Sequence, residues 1–252
     1  MIKVNNLSKY FDGNQILFDV STNFERGKVN LIIGQSGSGK TVLVKSIVGL
    51  HHPDNGNVLF DGEDVTHYSF DEMNLLRQNI GMLFQGGALF DSLTVEENVM
   101  FPLSMFKDIS EKEMLERANE CLEQVNLVGK NHLYPSETSG GMQKRIALAR
   151  AISMNPKYLF VDEPNSGLDP ITANVIDKLI KDLTEKFNMT TVVVTHDMNS
   201  VLEIGDNILF IHKGKAHWEG NKENILRSDD KVLNDFVYAS EFISALRDGF
   251  NK

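Results

Sequence analysis

The chain has 252 residues, 41% hydrophobic and 24% charged, which is ordinary globular material long enough for one large α/β domain or two small ones. A formal charge of −10 argues against a sequence-independent grip on nucleic acid, since neutralising phosphates takes clustered Lys and Arg. A single cysteine, Cys121, excludes an internal disulfide and fits a reducing compartment, where it reads as a small apolar core residue on a helix.

The longest apolar runs, such as Tyr158-Leu159-Phe160-Val161, fall well short of the roughly 18 residues that suggest a membrane span. Met1 to Asn6 carries no signal-peptide core, so the chain is expected to stay in the cytoplasm. From Ile2 onward polar and apolar residues alternate through Val4 and Leu7, Asp12-Gly13-Asn14 reads as a turn, and alternation resumes at Phe18, Val20, Thr22 and Phe24. These are antiparallel strands, and Arg26-Gly27 turns the chain into the next one, Val29-Asn30-Leu31-Ile32-Ile33, which reads as buried.

Gly34-Gln35-Ser36-Gly37-Ser38-Gly39-Lys40-Thr41 follows, fitting the P-loop spacing G-x-x-x-x-G-K-[ST]. The stretch from Val42 to Val48 continues as a helix up to Gly49, so strand, glycine loop and helix stand in the order the motif needs. The glycines let backbone N–H groups curl round phosphate oxygens without Cβ clashes, and the helix start adds bare donors and partial positive charge. The candidate nucleotide contacts are Gly34, Ser36, Gly37, Ser38, Gly39, Lys40, Thr41 and Val42. Lys40 can reach the β- and γ-phosphates, and the Thr41 hydroxyl can ligate Mg²⁺.

His51 to Gly56 reads as a loop whose two histidines, His51 and His52, are solvated, since no further Cys or His stands at metal-ligand spacing. Val58 to Phe60 is a short strand, Asp71 to Arg77 a short helix, and Ile80 to Phe84 a buried strand. Between Gln85 and about Met154 the pattern is helical: Ser110-Glu111-Lys112-Glu113 is a capping box, and Ser139 opens a second strong helix stopped by Asn155-Pro156. Leu159 to Val161 and Val192 to Val194 then read as parallel strands joined by a helix from Ile171 to Phe187. Ile208 to Trp218 reads as a closing hairpin. From Asn221 the chain reads as helical, with Val232, Phe236, Phe242, Ile243 and Leu246 as an apolar stripe for its own domain or a partner.

Tyr158 to Val161 ends in Asp162-Glu163, the Walker B pattern. Asp162 suits the Mg²⁺ shell, and Glu163, beyond the strand end, can orient or deprotonate a water aimed at the γ-phosphate. Thr138-Ser139-Gly140-Gly141-Met142 admits two readings, an ordinary N-cap or a second anion site built on a helix start.

That stretch and its surroundings resemble the ATP-binding subunits of ABC transporters over nearly the whole chain. The family's Leu-Ser-Gly-Gly-Gln signature becomes Thr138 to Met142 here, with both ends changed and Ser139, Gly140 and Gly141 kept. The resemblance implies an α/β fold: a P-loop NTPase (RecA-like) core with an antiparallel β-subdomain and an inserted α-helical subdomain. It implies a single ATPase domain over 1–252, with the core in 1–84 and 155–252 and the helical insert in 85–154. It implies ATP and Mg²⁺, with Ser139 of one copy closing the site of another in a head-to-tail homodimer. Gln85 resembles the Q-loop residue that senses Mg²⁺ and couples to the permease, Ser166 to Asp169 the D-loop, and His196 the switch histidine. Phe11, with Tyr10 as the alternative, resembles the aromatic that stacks on adenine; otherwise it is an edge-strand core residue.

The resemblance narrows at Gly81 to Val95, Asn98-Val99, Phe101-Pro102-Leu103, Tyr134 to Glu137 and Asp169 to Thr172. These fragments are similar to the ATPase of the Mla-type, MCE-associated phospholipid transport systems. The branch implies integral-membrane permease subunits, a periplasmic MCE-domain protein, a STAS-domain regulator, and a peripheral place on the cytoplasmic face of the inner membrane. An ABC ATPase of another system, such as an amino-acid importer or a division-linked complex, is the competing reading. A third, an ABC ATPase working on DNA or ribosomes, sits poorly with the acidic charge and the short chain.

Overall fold

Two strands and a tight turn open the molecule in the computed structural model, which describes residues 1–239. β1 (Ile2–Phe11) pairs antiparallel with β2 (Asn14–Phe24) across Asp12 and Gly13, whose φ values of 49° and 79° are the left-handed pair a two-residue hairpin loop requires. Val20, Thr22 and Phe24 are buried as the alternation predicts, but at the start of β2 it is Leu17, not Phe18, that points inward. The register shifts between Leu7↔Val20 and Lys9↔Leu17, and Asp19 stands at φ 49°. The resulting bulge resets which face each side chain takes, and Ser8 pins it: its hydroxyl donates to Asp19 Oδ1 at 2.9 Å and accepts from Asp19 N–H at 3.0 Å.

The described residues fold as two compact units, the first made of Met1–Phe24, Val29–Thr66 and the described residues from Val194 on, the second of Glu25–Lys28 and His67–Val193. In the first unit β3 (Val29–Ile33) is buried throughout, and α1 (Lys40–Ile47) follows it. β4 (Asn55–Phe60) pairs antiparallel with β1 and with the short β5 (Glu63–Asp64), giving the order β2-β1-β4-β5. β4 begins earlier than the expected Val58 because Gly56 lies against β1: a Cβ there would meet the carbonyls of Asn5 and Asn6 at 2.4 Å.

The second unit starts with α2 (Phe70–Arg77), capped by Ser69 and Glu72, and β6 (Ile80–Leu83). β6 is half-buried, alternating inside and out, where a fully buried strand was expected. Three helices follow: α3 (Val95–Phe106), α4 (Glu111–Gln124) and α5 (Gly140–Ile152). α4 and α5 start where Ser110 and Ser139 predict. α3 falls within the stretch after Gln85 that the sequence predicts as helical; it tolerates Pro102 inside it, and Thr94 and Glu97 form its capping box. Cys121 is buried on α4, as expected.

β7 (Tyr158–Asp162), α6 (Pro170–Phe187) and β8 (Thr190–Val194) complete this unit, with β6 parallel to β7 and β8 on the other side of β7. Gly81 of β6 brings α5 close, because a Cβ there would stand 2.3 Å from the Ala151 carbonyl.

Back in the first unit come α7 (Met198–Ile204), β9 (Asn207–His212), β10 (Lys215–Gly220) and α8 (Lys231–Val237). β9 runs parallel to β3, and β10 returns antiparallel beside β9, the expected hairpin. The stretch expected to be helical from Asn221 contains a 3₁₀ turn at Ile225–Arg227 before α8. On α8 the buried positions are Leu233 and Val237, with Val232 and Phe236 half-buried; Phe242, Ile243 and Leu246 lie outside the described residues. Among the described residues no helix is long and apolar enough to cross a membrane.

Candidate nucleotide site

The phosphate-binding loop is shaped by three glycines in backbone states that suit no other residue well. Gly34 has φ 147°, and a Cβ on it would meet the Ile211 carbonyl at 2.3 Å and Ser38 Oγ at 2.8 Å. Gly39 has φ 109° and lies against Leu17 Cδ2, 2.8 Å from where its Cβ would be. Gly37, at φ 76°, faces open space on the exposed crest formed with Gln35 and Ser36. Lys40 is 8% exposed and its ammonium donates to the Gly34 carbonyl at 2.8 Å and the Gln35 carbonyl at 3.0 Å, so the lysine head lies inside the loop.

Seven α-helices of the described residues, α2 to α8, begin with a side chain that accepts a hydrogen bond from the first turn: Ser69, Thr94, Ser110, Ser139, Asp169, Asp197 and Asp230. α1 begins at Gly39, which has no side chain to do so. The first turn of α1 is therefore left without a side-chain cap, so its start and the helix dipole are placed to receive an anion. Ser38 Oγ adds a buried hydroxyl with no hydrogen-bond partner in the protein. This donor set fits the phosphates of a nucleotide.

The other candidates of the first unit are His196, Phe11 and Tyr10. The Thr195 N–H donates to the Ile32 carbonyl at 3.2 Å, which ties the residue before the exposed His196 to β3 two positions ahead of Gly34. Phe11, 37% exposed at the end of β1, meets the His51 ring edge-on at 5.1 Å, with Lys9 Nζ 5.2 Å from its centroid. His51 is thus a packed residue, a correction to its reading as solvated; His52 is exposed as expected. Tyr10 is 39% exposed, which leaves an exposed aromatic at either position.

In the second unit Asp162 ends β7 and Glu163 turns away from it at φ 46°, a left-handed state costly for a glutamate. The Glu163 carbonyl accepts from the Ser166 N–H at 3.3 Å, and Ser166 Oγ accepts from Gln85 Nε2 at 3.4 Å. Gln85 is therefore joined through Ser166 to the main chain of Glu163. Asp169 caps α6: Oδ1 accepts from the N–H groups of Ile171 and Thr172 at 3.0 Å, and Oδ2 from the Thr172 hydroxyl at 2.6 Å. Those bonds, the Thr172 hydroxyl first, hold the Asp169 carboxyl below its ordinary range.

Ser139 Oγ accepts from the Met142 N–H at 3.3 Å, the local N-cap of α5. Gly141 behind it is needed for close packing on the start of α6, because a Cβ there would strike Thr172 Cγ2 at 2.4 Å, whereas one at Gly140 would make only ordinary contact with Leu168 at 3.6 Å. Ser139, Gly140, Gly141 and Asp169, predicted separately, thus gather in one place. Thr172 joins them; its place in the Asp-x-x-Thr helix start was the signal that could have found it.

Lys144 and Arg150 had no such signal. Lys144, only 6% exposed on α5, donates to the main-chain carbonyl of Gln85. Burial pulls its ammonium below the usual lysine range, and the fields of Asp162 and then Glu163 oppose that shift.

An open helix start beneath a glycine loop, with a strand that ends in paired carboxylates, defines a nucleoside triphosphatase of the P-loop class. The ABC transporter family model matches residues 17–166, and the chain belongs to that family as an ATP-binding subunit and ATPase. It is 42% identical over 238 residues to the intermembrane phospholipid transport system ATP-binding protein MlaF of Haemophilus influenzae, spanning 94% of this chain and 90% of that one. It is 39% identical over 228 residues to the glutamine transport ATP-binding protein GlnQ of Escherichia coli, spanning 90% and 94%. A dimeric ATP-binding cassette solved in a post-hydrolysis state with ADP and Pi matches with a TM-score of 0.80 at 35% identity, over 88% of this chain and 99% of that one. The P-loop NTPase fold expected from the sequence is the fold of this relative.

Proposed function

We propose that the chain powers phospholipid transport between membranes in an Mla-type system. The observation that carries this reading is its identity to the Haemophilus influenzae phospholipid-transport protein along nearly the full length of both chains. On this reading two copies form a homodimer on the cytoplasmic face of the inner membrane. They dock on integral-membrane permease subunits, with a periplasmic MCE-domain protein beyond them and a STAS-domain protein as regulator.

ATP is the substrate. Lys40 and the amides from Gly34 to Val42 bind its phosphates, Phe11 stacks on adenine, and Ser139, Gly140, Gly141 and Asp169 of the second copy close over the γ-phosphate. Thr41, Gln85 and Asp162 would hold Mg²⁺, their hydroxyl, amide and carboxylate oxygens being the hard donors this ion takes, and the ion supplies charge neutralisation at the β- and γ-phosphates. Glu163 orients a water and takes its proton as the water oxygen bonds to the γ-phosphorus and the bond to the ADP oxygen breaks. His196 donates to the γ-phosphate as charge builds on it.

The domain reading carries over as a proposal: one ATPase domain over 1–252, with its core in 1–84 and 155–252 and the helical insert in 85–154. Amino-acid import is the second reading, favoured by the identity to the glutamine transporter subunit.

Purification of the chain with the membrane proteins encoded beside its gene separates the two. Co-purifying phospholipid and ATPase activity stimulated by phospholipid vesicles are expected. Stimulation by an amino acid with its binding protein, and none by lipid, would move the chain to the import class.

A further inference from the structure

The main chain after β6 has no strand partner, and its carbonyls are taken up instead by side chains of neighbouring helices. Gln85 O accepts from Lys144 Nζ, while Gly87 O and Ala88 O each accept from the Arg150 guanidinium at 2.8 Å. Gly87 and Ala88 stand at φ 74° and 48°, two consecutive left-handed residues, and for Ala88 that state is strained. Their carbonyls lie where one planar fork takes both. Further on, the buried Asn98 of α3 donates to the carbonyls of Phe90, Leu93 and Thr94 and accepts from the Phe90 N–H.

Lys144 and Arg150 both lie on α5, the helix that Ser139 opens. The Gln85 side chain meets Ser166, whose N–H is bonded to the Glu163 carbonyl. A continuous path thus runs from α5 through Lys144 and Gln85 to Glu163.

We propose that Lys144 and Arg150 are positioning residues that bind the main chain of residues 85–88 to α5, so that Gln85 keeps its place beside Ser166 and Glu163 only while α5 keeps its own. Lys144 serves the site twice, as donor to the Gln85 carbonyl and as the buried cation in the field of Asp162 and Glu163. Such cation–carbonyl bonds in a low-dielectric setting are about twice as strong as neutral ones. The inference rests on the reading that Gln85 serves turnover.

The test uses the full chain in the assembly in which it hydrolyses ATP. Lys144→Met is expected to speed amide exchange over residues 84–90 about tenfold, with β6 and α5 unchanged. It is expected to lower kcat about ten- to a hundredfold, with KM for ATP within about twofold. Lys144→Arg, which keeps the charge, restores most of the rate. Gln85→Ala in the Lys144→Met background adds little further loss, because both changes act on one path.

Should Lys144→Met not fold, Arg150→Lys carries the same test, since a lysine cannot hold both carbonyls. Unchanged exchange over 84–90, or a normal kcat beside a defective Gln85→Ala, overturns the proposal. A Gln85→Ala protein with full turnover instead overturns the assignment of Gln85, whatever the exchange data show.

Discussion

The N–H of Gly214 donates to the carbonyl of Ser38 at 3.0 Å, so the turn between β9 and β10 holds the phosphate loop from behind. The Gly214 carbonyl in turn accepts from the Phe18 N–H of β2 at 2.9 Å. A turn more than 170 positions from the loop in sequence is thereby part of its frame.

Gly214 stands at φ 76°, and a Cβ on it would lie 2.1 Å from the Ile16 carbonyl and 2.8 Å from Phe18 Cδ2. Gly214→Ala should cost about 3 kcal/mol by urea denaturation and weaken ATP binding, because relief requires the turn to leave Ser38. Gly13→Ala is the control. Its φ of 79° is equally left-handed but nothing lies within 4 Å, so only the backbone penalty of about 1 kcal/mol applies. Equal losses at the two positions would contradict the framing role.

Glu163→Gln keeps the size and the strained backbone of the residue but cannot accept a proton. ATP affinity should change less than about threefold while turnover falls at least about a hundredfold. Ser139→Arg should leave binding of ATP by the loop of the same chain intact and abolish hydrolysis. Normal hydrolysis by Glu163→Gln removes Glu163 from its role; normal hydrolysis by Ser139→Arg refutes closure by a second copy.

Asp169 links α6 to acid stability. Its folded pKa lies below the ordinary 3.8 because the charged form accepts the Thr172 hydroxyl and two amides. The bonds therefore contribute fully above about pH 4 and are lost as pH falls through the lower, folded value. Urea midpoints of the wild type and Asp169→Ala should differ by a constant amount from neutral pH down to about pH 4 and converge below it. A gap that persists at the acid end would show that Asp169 does not act through its charge.

Cys121 is fully buried, and burial pushes its thiol up to about 11. A thiol reagent at about pH 8 should leave the native protein untouched and react fully once it is unfolded. Rapid labelling of the native state would mean that α4 opens far more readily than its packing suggests.

What could be read from the chain alone was whatever local chemistry carries. The loop from Gly34 to Thr41, the carboxylates after β7 and the caps at Ser110 and Ser139 are short-range patterns whose residue types fail elsewhere. The same logic applies to the start of α3, where Thr94 and Glu97 form a capping box inside the stretch that reads as helical. The bulge at Asp19 was beyond reach, because a register shift depends on the partner strand and Ser8 stands on β1. His51 looked solvated because its ring partner, Phe11, is 40 positions earlier.

The sequence by itself thus determined that this protein handles a nucleoside triphosphate, through a glycine loop whose conformations few other residues can adopt. Only the tertiary structure decided what holds the reactive segments in place: Gly214 behind Ser38, Thr172 against Gly141, and Lys144 and Arg150 on the carbonyls after β6. Those supports are main-chain hydrogen bonds and close contacts between distant stretches. A carbonyl looks the same at every position of a sequence, so nothing short of the fold says which lysine or arginine it will meet.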